Sequence, residues 1–375
     1  MRKGILRNFD YWLFGVVVIL AIFGIIMIQS ALAGNLEVSI DSQILYVGIG
    51  IVGIIVLTLI DYHYLDSIAN LLYIGIIVLL FALRIFGTAT FGSARWLSIG
   101  PIRLQPSEFA KIILIIRLAK YFSDRQDSNH DFRWILNSFL IAMVITTFIL
   151  LQPNMSTSIV MMVIWFSMLW VSNVKGKHLL ILGIVGFLIL IGIVIWLFVS
   201  PDTIPFIQEY QLNRLRTFFA PDETARYGDK YNVDQAVISL GSGGWFGQGY
   251  MNGTQVQLRF LKVRHTDFIF SALGQEFGLV GTVTVTLLLL FVVFRCLRAA
   301  RVAPDYFGAL ICYGVATLIS FQMAVNIGVN LQVLPVTGLT LPFISYGGSS
   351  TLALSTAIGL VESIVSRQEQ KEDNL

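Results

Sequence analysis

Residues 11–32 read YWLFGVVVILAIFGIIMIQSAL, an unbroken apolar stretch without a charged side chain. At about 1.5 Å of rise per residue, a helix of this length matches the roughly 30 Å hydrocarbon core of a bilayer. No small-residue cleavage site follows it, so it reads as a retained span rather than a signal peptide. Further apolar stretches lie at Ser42–Ile60, Asp66–Phe86, Gln105–Phe122, Trp134–Leu151, Met155–Ser172, Leu179–Val199, Phe268–Phe294, Tyr306–Leu331 and Leu341–Val365. The pair divided by Gln152-Pro153-Asn154 is kept as two, because one merged helix would be too long. The expectation is an all-α integral membrane protein of about ten spans. A large loop, about residues 200–266, separates the seventh span from the eighth.

Composition supports this class. The 375 residues are 56% hydrophobic and 13% charged, where a soluble domain carries about a quarter charged residues. The net charge of +3 is too small to suggest a nucleic-acid partner. Cys296 and Cys312 fall in or beside apolar stretches, which argues against a disulfide framework, and no Cys/His spacing suggests zinc.

Loop charges give the orientation. Arg2, Lys3 and Arg7 precede the first span. Lys120, Arg125 and Arg133 follow the fourth, Lys175 and Lys177 the sixth, Arg295, Arg298 and Arg301 the eighth, and Arg367 and Lys371 the last. Both termini are therefore expected in the cytoplasm. Two outer segments depart from the rule. Gly87–Leu104 carries Arg95 and Arg103, and Ser200–Thr266 carries Arg214, Arg216, Arg226, Lys230, Arg259, Lys262 and Arg264. Basic charge held on the outer face points to an anionic ligand there. Ile207, Tyr210, Leu215, Phe218 and Phe219 line one side of an expected surface helix.

The residues that could carry chemistry gather at the same side. Asp267, in HTDFIF, stands where the eighth span opens. It reads either as a helix cap or as a general base oriented by His265 and Thr266. Glu108 and Lys111, three apart in LQPSEFAK, share a face in the first turn after Pro106, as a local pair or as part of a polar site. Glu276, within GQEFG, is an intramembrane carboxylate that either bridges helices or serves function. GSGGWFGQG (241–249) lacks the Lys-Ser/Thr ending of a phosphate loop and reads as a tight turn or re-entrant hairpin. LPFISYGGSS (341–350) opens the last span as a broken helix start, tolerated where it lines a polar cavity. Its Ser345 and Ser349, together with Asn326 and Asn330 of the ninth span, are candidates to line that cavity.

Four separated stretches, SARWLSIGPIRLQPSEFAK, ISLGSGGWFGQGYMNGTQVQLRFL, HTDFIFSALGQEFGLVG and NIGVNLQVLPVTGLTLPFISYGGSS, resemble the SEDS family (shape, elongation, division and sporulation) of bacterial cell-wall proteins, over nearly the whole chain. The resemblance implies a multi-pass protein of the bacterial plasma membrane with an extracytoplasmic active site. It implies a glycosyltransferase that polymerises lipid II into peptidoglycan strands and releases undecaprenyl diphosphate. The partners it implies are a class B penicillin-binding protein and other elongation-complex proteins. Short tails, GTQVQLRFL and LPVTG look like the elongation type, RodA, while RWLSIGP and LTLPFISYGG also suit the division type, FtsW. A lipid II flippase is the alternative of another class. Carried over by motif, Asp267 is catalytic, Glu108 and Lys111 are the paired acid and base, and Trp96 is the loop tryptophan. Arg95, Arg103, Arg259 and Lys111 are candidates for the diphosphate, as is a divalent ion (Mg or Mn) held with a carboxylate. One departure is Leu261-Lys262-Val263, where many members have Leu-Pro-Glu.

Overall fold

Each of the ten apolar stretches contributes a helix. The computed structural model describes residues 8–32, 39–86, 95–99, 102–126, 131–199, 214, 218 and 229–368. Its elements in order are α1 (Tyr11–Leu32), α2 (Ile40–Leu59), α3 (His63–Phe86), β1 (Leu97–Ile99), β2 (Ile102–Leu104), α4 (Pro106–Ser123), α5 (Phe132–Leu150), α6 (Met155–Val171), α7 (Gly176–Val199), α8 (Asp229–Ser242), α9 (Thr254–Gln257), α10 (Ile269–Val302), α11 (Tyr306–Asn330) and α12 (Gly348–Val365). The expected surface helix through Ile207 and Phe219 lies outside the described residues, apart from Phe218. An antiparallel hairpin, with Leu97 opposite Leu104 and Ile99 opposite Ile102, adds a small sheet to the expected all-helical fold.

Local chemistry sets the helix ends. Asn154 caps α6 by accepting the Thr157 N–H at 3.3 Å, which keeps α5 and α6 apart. Asp305 caps α11 through the Gly308 N–H at 2.6 Å, and Pro106 occupies the first turn of α4, where its missing N–H costs nothing.

Among the described residues, seven helices are long and apolar enough to cross a membrane: α1, α2, α3, α5, α10, α11 and α12. Helix α4 is not among them because it carries Glu108, Lys111, Arg117 and Lys120. It is nonetheless buried along most of its length, packed against α3, α5, α6, α11 and α12. A helix walled by protein needs no apolar exterior. Helices α11 and α12 occupy the centre. Helix α12 runs along α2, where a Cβ on Gly359 would stand 2.9 Å from Leu57 Cβ, so small residues set the close approach. Peripheral α3 turns Leu71, Ile74, Val78 and Phe81 outward, as a lipid-facing helix does.

Two expectations are corrected. The eighth span extends past Phe294 to Val302 and is broken at Gly278, whose φ of 66° and ψ of −163° are open essentially to glycine alone. The break frees backbone groups that the glycine-rich turn takes up. Gln248 and Gly249 N–H donate to the carbonyls of Gln275 and Glu276 at 2.9 and 3.0 Å. Leu279 and Val280 N–H donate to those of Gly244 and Trp245 at 2.8 and 3.1 Å. Gly243–Gly249 thus docks against a broken helix and satisfies it within the protein. The last helix begins at Gly348 rather than Leu341. Pro342 lacks an N–H and Phe343 sits at a φ of 64°, so residues 341–347 form a turn.

Asp10, at the start of α1, holds Arg295 of α10 at 2.5 Å, and its N–H donates to Glu362 of α12 at 3.0 Å. Both contacts lie at the end of the bundle away from the start of α10.

Candidate active site

Asp267 immediately precedes the residue that caps α10, Phe268. The helix-start role that the sequence offered Asp267 is filled from another helix. Asn330 Oδ1 accepts the Ser271 N–H at 3.0 Å and the Ser271 hydroxyl at 2.6 Å. Asn330 Nδ2 and Asn326 Nδ2 donate to the Asp267 carbonyl at 2.9 and 3.1 Å. Two asparagines one turn apart on α11 therefore clamp the backbone of Asp267, leaving its carboxylate to be aimed by the fold. Asn326 also donates to the Leu339 carbonyl at 2.8 Å, tying the segment after α11 to the same point.

The turn before α12 holds Asp267 from the other side. The Ser345 hydroxyl donates to the Thr266 carbonyl at 2.8 Å and accepts the Leu341 N–H at 2.8 Å. Tyr346 N–H donates to the His265 carbonyl at 2.8 Å, and the two rings meet edge to face at 5.7 Å. Burial, and then the neighbouring Arg264 charge, hold the His265 pKa below its usual value, so the imidazole is neutral near neutral pH. Arg264 in turn donates to the Ala31 carbonyl at 2.6 Å, near the end of α1.

Asp267 opens onto a cavity of about 390 Å³ whose wall includes Glu108, Arg95, Trp96, Arg214, Gln322 and Ser349. Lys111 stands behind Glu108, Nζ to Oε2 2.8 Å, and is almost wholly buried. A buried lysine with this one carboxylate beside it holds that carboxylate in place. Arg95 reaches the wall with Nε and Nη2 on the Gln152 and Pro153 carbonyls at 2.7 and 2.5 Å. Gly338, at a φ of 79°, passes so close that a Cβ there would lie 3.7 Å from both Asp267 Oδ2 and Arg214 Nη1. The carboxylate and a guanidinium thus flank one point of backbone. Ser349 joins the far wall, accepting the Gln105 N–H at 2.8 Å and donating to the Arg103 carbonyl at 3.0 Å.

The structure brings Asp267, Glu108, Arg95, Trp96 and Ser349 to one cavity, with Lys111, His265, Asn326 and Ser345 one bond behind it. It leaves three other candidates off that wall. The exposed Arg103 side chain stands on the hairpin with its charge near Tyr346 of the cavity, and its carbonyl accepts the Ser349 hydroxyl. Arg259 is exposed in a turn after α9 and is not on the wall. Glu276 is buried at the α10 break, where it accepts the Ser30 hydroxyl of α1, and Gln257 Nε2 donates to Ser30 Oγ at 3.2 Å. The sequence offered Arg214 only as one of several basic residues of the 200–266 segment, and it pointed neither to Gly338 nor to the Ser271–Asn330 bond. For Gly338 a signal existed in LPVTG; for Ser271, inside an apolar run, none did.

Comparison with known proteins matches residues 10–371 to the cell cycle protein family of FtsW, RodA and SpoVE. Stage V sporulation protein E of Bacillus subtilis is 31% identical over 369 residues, covering 94% of this chain and 95% of that protein. The peptidoglycan glycosyltransferase MrdB of Escherichia coli K12 is 32% identical over 346 residues, covering 92% and 90%. A chain in a solved peptidoglycan synthase complex, described as coordinating polymerization and crosslinking, superposes with a TM-score of 0.80 at 27% identity, over 96% of this chain and 99% of that one.

Proposed function

This chain belongs to the FtsW, RodA and SpoVE family of multi-pass membrane proteins, and from that premise we propose that it is a peptidoglycan glycosyltransferase of the elongation type, polymerising lipid II. The observation that carries the reading is one cavity uniting Asp267, Glu108, Arg95 and Arg214 at one end of the bundle. Basic residues mark the opposite end: Arg295, Arg298, Arg301 and Arg367. By the loop-charge rule the cavity faces outward and both termini face the cytoplasm. The whole chain acts as a single membrane domain with its large outer loop at about 200–266.

In the reaction, the 4-hydroxyl of one lipid II attacks the anomeric carbon of the lipid-linked strand. Asp267 accepts the hydroxyl proton as the new glycosidic bond forms. The bond to the diphosphate breaks, and undecaprenyl diphosphate departs with its electron pair. Positive charge must meet the leaving group. Arg95 and Arg214 are on the wall to do so, and Lys111 holds Glu108 oriented. Among the described residues no three potential metal ligands converge. A divalent ion would be held there by a carboxylate of the cavity and by substrate phosphate, as Mg²⁺ commonly is, and would supply charge to the leaving group.

The polymerase partner proposed is a class B penicillin-binding protein, which supplies crosslinking. Elongation rather than division is favoured by the segments GTQVQLRFL and LPVTG. The test is polymerisation of lipid II by the purified chain with such a partner. Asp267→Asn should lower the rate about 10²–10⁴-fold, the worth of a general base. Activity within tenfold of wild type would overturn the assignment. Labelled lipid II in vesicles addresses transport: a variant that still moves lipid II but does not polymerise it separates the two activities.

A further inference from the structure

At the end of the bundle opposite the Asp267 cavity, α1 and α10 part around a second cavity of about 290 Å³, lined by Asn8, Asp10, Trp12, Arg295, Arg298 and Gln368. Arg295 lies 17 residues beyond the break at Gly278 on α10, about 26 Å along the helix. The two cavities are separate sites.

Its charges are unequally used. Asp10 is committed: Oδ2 takes Arg295 Nε at 2.7 Å and Nη2 at 2.5 Å, while Oδ1 accepts the Leu13 N–H at 3.0 Å. Asn8 Nδ2 is turned to the Gln368 carbonyl at 3.1 Å. Arg298, one turn beyond Arg295, is exposed and has no ion-pair partner among the described residues. The cavity wall therefore carries one cation that nothing in the described protein neutralises.

Trp12 also belongs to an adjoining groove on the outer surface. Val16, Thr284, Leu287, Leu288 and Phe291 complete that groove, which is overwhelmingly apolar. Thr284 to Arg298 spans 14 residues of α10, about 21 Å, so the cation and the groove form one continuous track along the helix. Tyr11 and Trp12 are 65% and 71% exposed at the opening of α1, the aromatic placement that marks headgroup depth in a membrane. A ligand that fits must present negative charge at the aromatic level and a hydrocarbon chain toward the bilayer centre. A soluble anion would satisfy the first requirement and leave the groove unfilled.

We propose that this track binds an anionic glycerophospholipid, its headgroup phosphate at Arg298 and one acyl chain in the groove between Trp12 and Phe291. The lipid bridges α1 and α10 at the end where Asp10 and Arg295 already join them.

The test measures thermal unfolding of the detergent-solubilised full chain. It is titrated with dioleoyl phosphatidylglycerol, with dioleoyl phosphatidylcholine of identical chains, and with inorganic phosphate. Phosphatidylglycerol should raise the unfolding temperature saturably, and the other two should not. Arg298→Gln should weaken the phosphatidylglycerol midpoint about fivefold, the worth of one basic residue at an anionic surface. Lys177→Gln, an exposed charge elsewhere, should leave the midpoint unchanged. A photoactivatable phosphatidylglycerol analogue gives a readout independent of variant folding, and its crosslinks should concentrate within residues 8–16 and 284–298. Equal stabilisation by phosphatidylcholine, an effect reproduced by phosphate alone, an unchanged Arg298→Gln midpoint, or crosslinks spread evenly over the lipid-facing helices would each overturn the proposal.

Discussion

Asn330→Ala tests whether Asp267 is positioned by the α11 clamp. Asn330 is fully buried, as is Ser271. The substitution strands the Ser271 N–H, accepted at 3.0 Å, and the Ser271 hydroxyl, accepted at 2.6 Å. The Asp267 carbonyl keeps its second donor, Asn326, at 3.1 Å. Two orphaned buried donors at about 1–3 kcal/mol each, with partial relaxation, give about 2–4 kcal/mol of destabilisation. The catalytic effect should exceed what that loss of folded protein explains. A shift of the Asp267 backbone by about 1 Å is enough to cost about 10²-fold in rate. Unfolding of the purified variant in detergent gives the first quantity, and lipid II polymerisation per folded molecule gives the second. Ser271→Ala, which removes the hydroxyl but retains the N–H, should cost less in both. In the double variant the two losses should fall short of their sum by about 1 kcal/mol, because they share one hydrogen bond. An Asn330→Ala protein within 0.5 kcal/mol and twofold of wild type would refute the clamp.

Other outcomes follow from the same structure. Glu108→Ala leaves Lys111 buried without its carboxylate and should destabilise the chain by about 3–5 kcal/mol, with Glu108→Ala/Lys111→Met recovering most of it in unfolding measurements. Gly278→Ala places a Cβ 2.4 Å from Gly247 N in a backbone region open to glycine; a loss of about 3 kcal/mol or more, read as poor recovery of folded protein, is expected. Gly338→Ala strains a φ of 79° beside Asp267 and Arg214 and should lower the polymerisation rate more than substrate affinity, which a kcat and KM comparison reads. His265 has a depressed pKa in the folded state. Its neutral form therefore contributes stability above the ordinary imidazole value of about 6.5, lost as pH falls toward the folded value. His265→Gln should flatten the pH dependence of unfolding in that window.

Much of the fold was legible because hydropathy accumulates locally. Tyr11–Leu32 declares a helix of membrane length without reference to any other residue, and Asn154 and Pro106 mark helix starts within a few positions of themselves. Motif residues were legible for the same reason: Glu108 and Lys111 face each other through helix spacing alone, and their 2.8 Å contact is local. What depended on packing could not be read this way. Helix α4 was legible as a span at Gln105–Phe122, but which helices wall in its four charged side chains was not. The break at Gly278 is intelligible only with the 243–249 turn that takes up its backbone groups. Arg259 and Glu276 looked like site residues from type and position, and the chain path sends both elsewhere.

The sequence by itself determined that this is a polytopic membrane protein, which end of each span is charged, and that Asp267 stands at a helix start. Only the tertiary structure decided that Asp267 shares a cavity with Glu108, Arg95 and Arg214, and that Asn330, 59 residues away from Ser271, does the capping. The reason is physical. Burial of an apolar helix is a sum over its own residues, whereas a hydrogen bond between distant residues depends on the positions of whole elements, which no local pattern encodes.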